Sequence, residues 1–116
     1  MTQLGGLCVL CGRKGIIMQR ESQIQAAILN YLRSLGWWCW AVKAAVCNER
    51  GVPDVLCCYR GRFVALEIKT QKGRLSGPQK IQIQRIHRAG GKAAAVRNID
   101  EVKEILREID TEETGV

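Results

Sequence analysis

A chain of 116 residues, 47% hydrophobic, with a formal net charge of +7, is one small globular domain: long enough for a core, too short for two. No stretch approaches the ~20 apolar residues that span a bilayer, and Arg13-Lys14 follows the mildly apolar first ten residues instead of preceding them, the reverse of a secretory signal. Composition therefore disfavours a membrane or secreted protein, and the expected location is cytoplasmic, with the six cysteines reduced.

Charge is distributed unevenly. Residues 1–99 hold four acids (Glu21, Glu49, Asp54, Glu67) against sixteen lysines and arginines, while seven acids fall in the last seventeen residues. No acid lies between Glu67 and Asp100, a window carrying Lys69, Lys72, Arg74, Lys80, Arg85, Arg88, Lys92 and Arg97. Such a window suits a polyanion such as a phosphodiester backbone; a solvated basic face with no partner is the plain alternative.

In chain order, residues 1–17 are glycine-punctuated and aperiodic and read as a flexible leader, with Met18 a candidate alternative start. Glu21 to Leu35 has apolar residues at 24, 27, 28, 31, 32 and 35, the spacing of one helix face, stopped by Gly36. Trp37 to Val42 is a strand buried on at least one face, followed by a loop from Lys43 to Val52. Asp54 to Tyr59 and Arg62 to Lys69 flank Arg60-Gly61 and predict an antiparallel hairpin. Ser76 and Pro78 start a second helix bearing Ile81, Ile83 and Ile86, and Gly90-Gly91 ends it. Lys92 to Arg97 is a fourth strand, and Asp100 reads as the N-cap of a last helix to about Ile109, leaving 111–116 as an acidic tail. The fold class is α/β, order α-β-β-β-α-β-α, with a mixed four-stranded sheet flanked by helices.

Two of the four early acids lie in strand-like apolar runs, where a charge needs a reason. Alternation along the third strand puts Glu67 and Lys69 on one face, and Asp54 opens the neighbouring strand. Two carboxylates with the backbone carbonyl of Ile68 form an oxygen set that suits Mg²⁺ or Mn²⁺ and leaves positions for water and phosphate. Such an ion would polarise a phosphoryl oxygen and acidify bound water, and Lys69 would orient that water or neutralise developing charge. An ordinary Glu–Lys surface pair on an edge strand is the competing structural reading.

Pro53-Asp54, a twelve-residue gap and Glu67-Ile68-Lys69 within this element order resemble the PD-(D/E)XK nuclease superfamily over about residues 18–110. Glu21 at the start of the first helix, Gly51-Val52-Pro53-Asp54-Val55, Ala65-Leu66-Glu67-Ile68-Lys69 and Ser76-Gly77-Pro78-Gln79 resemble, more narrowly, the VRR-NUC (virus-type replication-repair nuclease) family. The resemblance implies that Glu21, Asp54, Glu67 and Lys69 are catalytic or metal-binding and that Gln79 contacts the site. By themselves, Gln79 reads as a solvated or capping residue and Glu21 as a helix-dipole acid. The resemblance further implies a Mg²⁺- or Mn²⁺-dependent endonuclease on branched DNA, similar to Holliday-junction resolvases and acting as a homodimer; the acid-free window separately makes Lys72, Arg74, Lys80 and Arg85 the expected DNA contacts.

The rivals are a nickase, flap or restriction-type nuclease on the same fold, a DNA-binding protein with a decayed site, and a zinc or redox module. The last rests on Cys8-Val9-Leu10-Cys11, which lacks a second C-x-x-C to complete four ligands, although two chains could each lend a pair. Cys39, Cys57 and Cys58 lie in apolar runs and read as small hydrophobes. The three tryptophans read mostly as core, with Trp38 and Trp40 sharing one strand face; base stacking by one of them is the minor alternative.

Overall fold

Ile24, Ile28 and Leu32 fall on one stripe of a helix, α1 (Glu21–Ser34), and are buried against a sheet. The computed structural model describes residues 19–43 and 49–114. The leader expected over 1–17, with Cys8 and Cys11, lies outside the described residues. The strands are β1 (Trp38–Ala41), β2 (Val55–Tyr59), β3 (Arg62–Ile68) and β4 (Lys92–Val96), with α2 (Gly77–Arg88) between β3 and β4 and α3 (Ile99–Thr114) last. The order is the expected α-β-β-β-α-β-α.

Spatial order in the sheet is β1-β2-β3-β4, antiparallel for the first two pairs and parallel for β3 with β4. The β2–β3 connection is the two-residue Arg60-Gly61, with φ of 53° and 79°. Positive φ at both central positions is what a type I′ hairpin turn demands, and it sets the register pairing Val55 with Leu66. The parallel β3–β4 pair needs a crossover, which α2 supplies.

One sheet face is dry. Val55, Cys57, Val64, Leu66, Ile68 and Val96 pack with Ile24, Ile28, Leu29 and Leu32 of α1 and Val102, Ile105 and Ile109 of α3 in one cluster. Each such side chain contributes about 1.5–3 kcal/mol on burial, so this face carries the stability. The other face carries Ala65 and Glu67 and meets α2, none of whose side chains is fully buried.

Four expectations change. Asp100 is not the N-cap: the helix begins one residue earlier, at Ile99, and the Asn98 side-chain oxygen accepts the Glu101 N–H at 2.9 Å. α3 also runs past Ile109 to Thr114, because its acids have partners on the sheet: the Tyr59 hydroxyl donates to Asp110 at 2.7 Å, Arg62 pairs with Glu112, and Lys92 Nζ lies 2.8 Å from Glu108. Trp38 and Trp40 are not core. They are 61% and 60% exposed, because Cys39 takes the buried face of the short edge strand β1; Trp37 alone packs inward, stacked on Tyr59 with 3.9 Å between ring centroids. Cys58 is likewise exposed, whereas Cys39 and Cys57 are buried free thiols.

Candidate active site

Asp54 stands one residue before β2, behind the fully buried Pro53. Its Oδ2 accepts the Ile68 N–H at 2.8 Å, so the carboxylate takes an amide at the end of β3 and is fixed against it. Glu67, the penultimate residue of β3, is 4% exposed. Its Oε2 accepts the Gln79 Nε2 hydrogen at 3.0 Å and lies 4.0 Å from Lys69 Nζ, while Oε1 is buried and no donor among the described residues reaches it. An orphaned buried carboxyl oxygen costs more than the ~1–3 kcal/mol of a neutral group.

Burial pushes the Glu67 carboxyl up to about 8; the Asp54 charge and its hydrogen bond push the same way, as does Glu21, and Lys69 opposes them. Glu21, in the exposed first turn of α1, thus acts electrostatically on the same group. The structure brings Asp54, Glu67, Lys69 and Gln79 together, whereas Glu21 has no hydrogen bond or ion pair to them.

Among the described residues no three His, Cys, Asp or Glu side chains form a cation-binding group. Asp54 and Glu67 therefore need a further oxygen, and the Ile68 carbonyl expected from sequence is the donor that would complete an all-oxygen set for Mg²⁺ or Mn²⁺. The fit rests on Glu67: a divalent ion would satisfy Oε1 and relieve the burial and repulsion that hold its pKa up.

Gln79 reconciles its two sequence readings. Its Oε1 accepts the Ser76 N–H at 2.8 Å, closing a capping box with the Ser76 hydroxyl, and its Nε2 holds Glu67. The start of α2 and the buried carboxylate are thereby tied by one side chain.

Sequence reasoning assigned no role to Gly51. Its φ is +78°, and a Cβ there would sit 2.4 Å from the Pro78 carbonyl and 2.6 Å from the Gln79 nitrogen. Only glycine lets the loop before Asp54 abut the first turn of α2. Glu49 was also missed. Gln82 Nε2 donates to its carboxylate at 3.2 Å and to the Arg50 carbonyl at 3.1 Å, and Glu49 and Arg50 line a cavity of about 370 Å³ with Val42, Asp54, Glu67 and Gln79. The glycine immediately before Val-Pro-Asp was the only sequence signal for either.

Lys72, Arg74 and Lys80 are exposed and carry no ion-pair partner among the described residues. Arg85 is exposed too, with Nη1 3.9 Å from Glu49. Lys92 and Arg97 are otherwise engaged, the first by Glu108 and Glu112, the second through a 2.9 Å bond to the Gly73 carbonyl. The acid-free window is thus divided: its middle faces water and its end is tied within the domain.

No protein-family model matches the sequence, and no curated protein matches it. Two solved structures are similar in fold. One, described as "VRR_NUC domain", is 19% identical with a TM-score of 0.64, covering 75% of this chain and 94% of its own. The other, described as "VRR_NUC domain protein", is also 19% identical at a TM-score of 0.64, covering 78% of this chain and 88% of its own. At that identity the likeness is one of fold, and it falls on the family that the sequence resembles. This chain has the fold of the VRR_NUC domain.

Proposed function

We propose that this protein is a Mg²⁺- or Mn²⁺-dependent DNA endonuclease of the PD-(D/E)XK type, hydrolysing phosphodiester bonds, structure-specific for branched DNA and acting as a homodimer. The observation that carries the reading is Glu67: a carboxyl 4% exposed, with one oxygen that no donor reaches among the described residues, set beside Asp54 and Lys69. A structural Glu–Lys pair would close its hydrogen bonds; this one leaves an oxygen toward a second carboxylate, an arrangement that suits a cation better than a core.

When bound, the divalent ion supplies Lewis-acid polarisation and an acidified water. Asp54, held by the Ile68 N–H, presents a rigid oxygen. Burial and the Asp54 charge hold the Glu67 carboxyl up at about 8 in the metal-free site, and a bound divalent ion would favour its charged form. Lys69 Nζ, on the same sheet face, orients the attacking water and offsets charge on the phosphate. Exposed Lys72, Arg74 and Lys80, near the start of α2, hold the DNA backbone. A two-fold dimer would present two such sites to two strands, as a four-way junction requires.

The test is incubation of the purified protein with duplex, flap, single-stranded and four-way-junction DNA in Mg²⁺, in Mn²⁺ and in EDTA. The expected result is ion-dependent cutting that favours the junction. Preference for flap or nicked duplex would replace the substrate and keep the chemistry. DNA binding without cutting of any substrate in either ion would overturn the enzyme reading.

A further inference from the structure

Two tryptophans left in water on a domain this small lie beside the catalytic carboxylates. Side chains directly opposite one another across paired strands share a face. Trp40 is opposite Leu56, and Leu56 is opposite Ala65, so Trp38 and Trp40 belong to the face that carries Ala65 and Glu67. Two residues beyond Trp40 on the same face, Val42 donates its N–H to the Asp54 carbonyl at 2.8 Å and lines the cavity shared by Asp54, Glu67 and Gln79. A strand advances about 7 Å over two residues, so the Trp38–Trp40 pair forms a row leading to the mouth of the site.

The geometry is that of a platform. The two indoles are near parallel, 18° between planes, with centroids 6.4 Å apart, close to two steps of the ~3.4 Å rise per nucleotide in a stacked strand. Both rings are about 60% exposed, and Phe63, 44% exposed, extends the same face two strands away through the row Trp38, Cys58, Phe63. Among the described residues α2 packs over the β4 side of this face and not over β1.

We propose that Trp38 and Trp40 stack unpaired bases of the strand whose phosphate enters the Asp54–Glu67 site. The inference rests on the nuclease reading and narrows its substrate class to DNA with at least two unpaired bases beside the scissile phosphate. Charge complementarity favours this occupant: the chain carries a +7 net charge and exposed Lys72, Arg74 and Lys80 to meet phosphates, while the rings serve the bases, the combination of basic side chains and aromatic faces that binds single strands without reading sequence. A second copy of the chain is the poorer occupant, because two rings are a small part of the ~800 Å² per partner that a stable dimer buries.

The experiment measures fluorescence anisotropy of labelled oligo-dT and of a duplex of equal length, in EDTA so that no cleavage intervenes, on full-length Trp38→Ala, Trp40→Ala and Trp40→Phe proteins. Light-scattering mass and thermal melting are recorded alongside. The expected result is about tenfold weaker single-strand binding for each alanine variant, duplex binding within about twofold, partial recovery by Trp40→Phe, and unchanged mass and melting. Single-strand affinity within twofold of the parent in both alanine variants would overturn the inference. A fall in mass would overturn it as well and assign the rings to a chain–chain interface, and a drop in melting temperature that Trp40→Phe restores without restoring affinity would assign them to the fold. If the parent binds and cuts DNA while the alanine variants bind oligo-dT normally, this inference alone fails. A parent that binds no DNA fails both.

Discussion

The two faces of the sheet are built from the same strands and obey opposite rules. Under α1 and α3, Val64, Leu66, Ile68 and Val96 meet Ile28, Leu32, Val102 and Ile109 with almost no water and no charge. Under α2, one residue out of phase, Glu67 is buried just as deeply beside Asp54 and Lys69, with an oxygen that no donor among the described residues reaches. A strand's two-residue alternation lets one segment serve both purposes. The dry face supplies the stability that the wet face consumes, so a change of the same size on each should fail differently.

Removing the wet face's charges should give the largest effect. Asp54→Asn, Glu67→Gln and Lys69→Ala are each expected to lower cleavage ~10²-fold or more, the scale for a preorganised electrostatic group, with circular dichroism unchanged. Wild-type rates in all three would break the contrast outright. On the dry face, Leu66→Ala, on the same strand, should cost ~2–5 kcal/mol in denaturant unfolding while the folded fraction keeps its metal requirement. A cost below ~1 kcal/mol would mean that the core sits elsewhere.

A third experiment joins the two faces through pH. A carboxyl whose pKa is raised by folding binds its proton more tightly in the native state than in the unfolded chain, so stability falls as pH climbs from the ordinary value of 4.5 through about 8. Glu67→Gln removes that cost. In EDTA the variant should therefore melt higher than the parent at pH 9, by at least ~1 kcal/mol or about 4–8 °C, with the gap closing toward pH 5. A gap that does not vary with pH would show that Glu67 is not the group titrating. The smallest effect concerns the surface: neutralising Lys72, Arg74 and Lys80 should flatten the slope of log affinity against log salt by ~1 for each phosphate that no longer meets a cation. An unchanged slope would move the DNA to another part of the molecule.

Element order was legible because its signals are local. Gly36 and Gly90-Gly91 end helices, Arg60-Gly61 can turn only one way, and the β3 alternation places Glu67 opposite in direction to Leu66 without reference to anything distant. Asp54, Glu67 and Lys69 stood out for the same reason, as charges inside apolar runs. What escaped depends on meetings between segments far apart in sequence. Nothing near Trp38 or Trp40 shows that α2 stops short of β1, and nothing near Ile109 shows that Arg62 and Lys92 wait beside the last turns of α3. Gln79 was legible as a cap, since Ser76 is three residues away, but its bond to Glu67 crosses from helix to sheet and left only the resemblance to suggest it.

The Arg60-Gly61 hairpin also bears on the order in which the site is assembled. Asp54 and Ile68 lie fourteen residues apart across the hairpin, half the separation of the Ile68–Val96 pair that joins β3 to β4, and shorter closures are entropically cheaper and faster. The helix and strand that shut water away from Glu67 come later in the chain and complete the slower parallel pairing of β3 with β4. A chain that has formed only its hairpin already holds Asp54 in place, while Glu67 still lies in water with the acidity of any surface glutamate. Formation of the carboxylate pair and its electrostatic frustration are thus separate events in folding, and hydrogen exchange should find the Ile68 amide protected in partly open states in which the α2 amides are not.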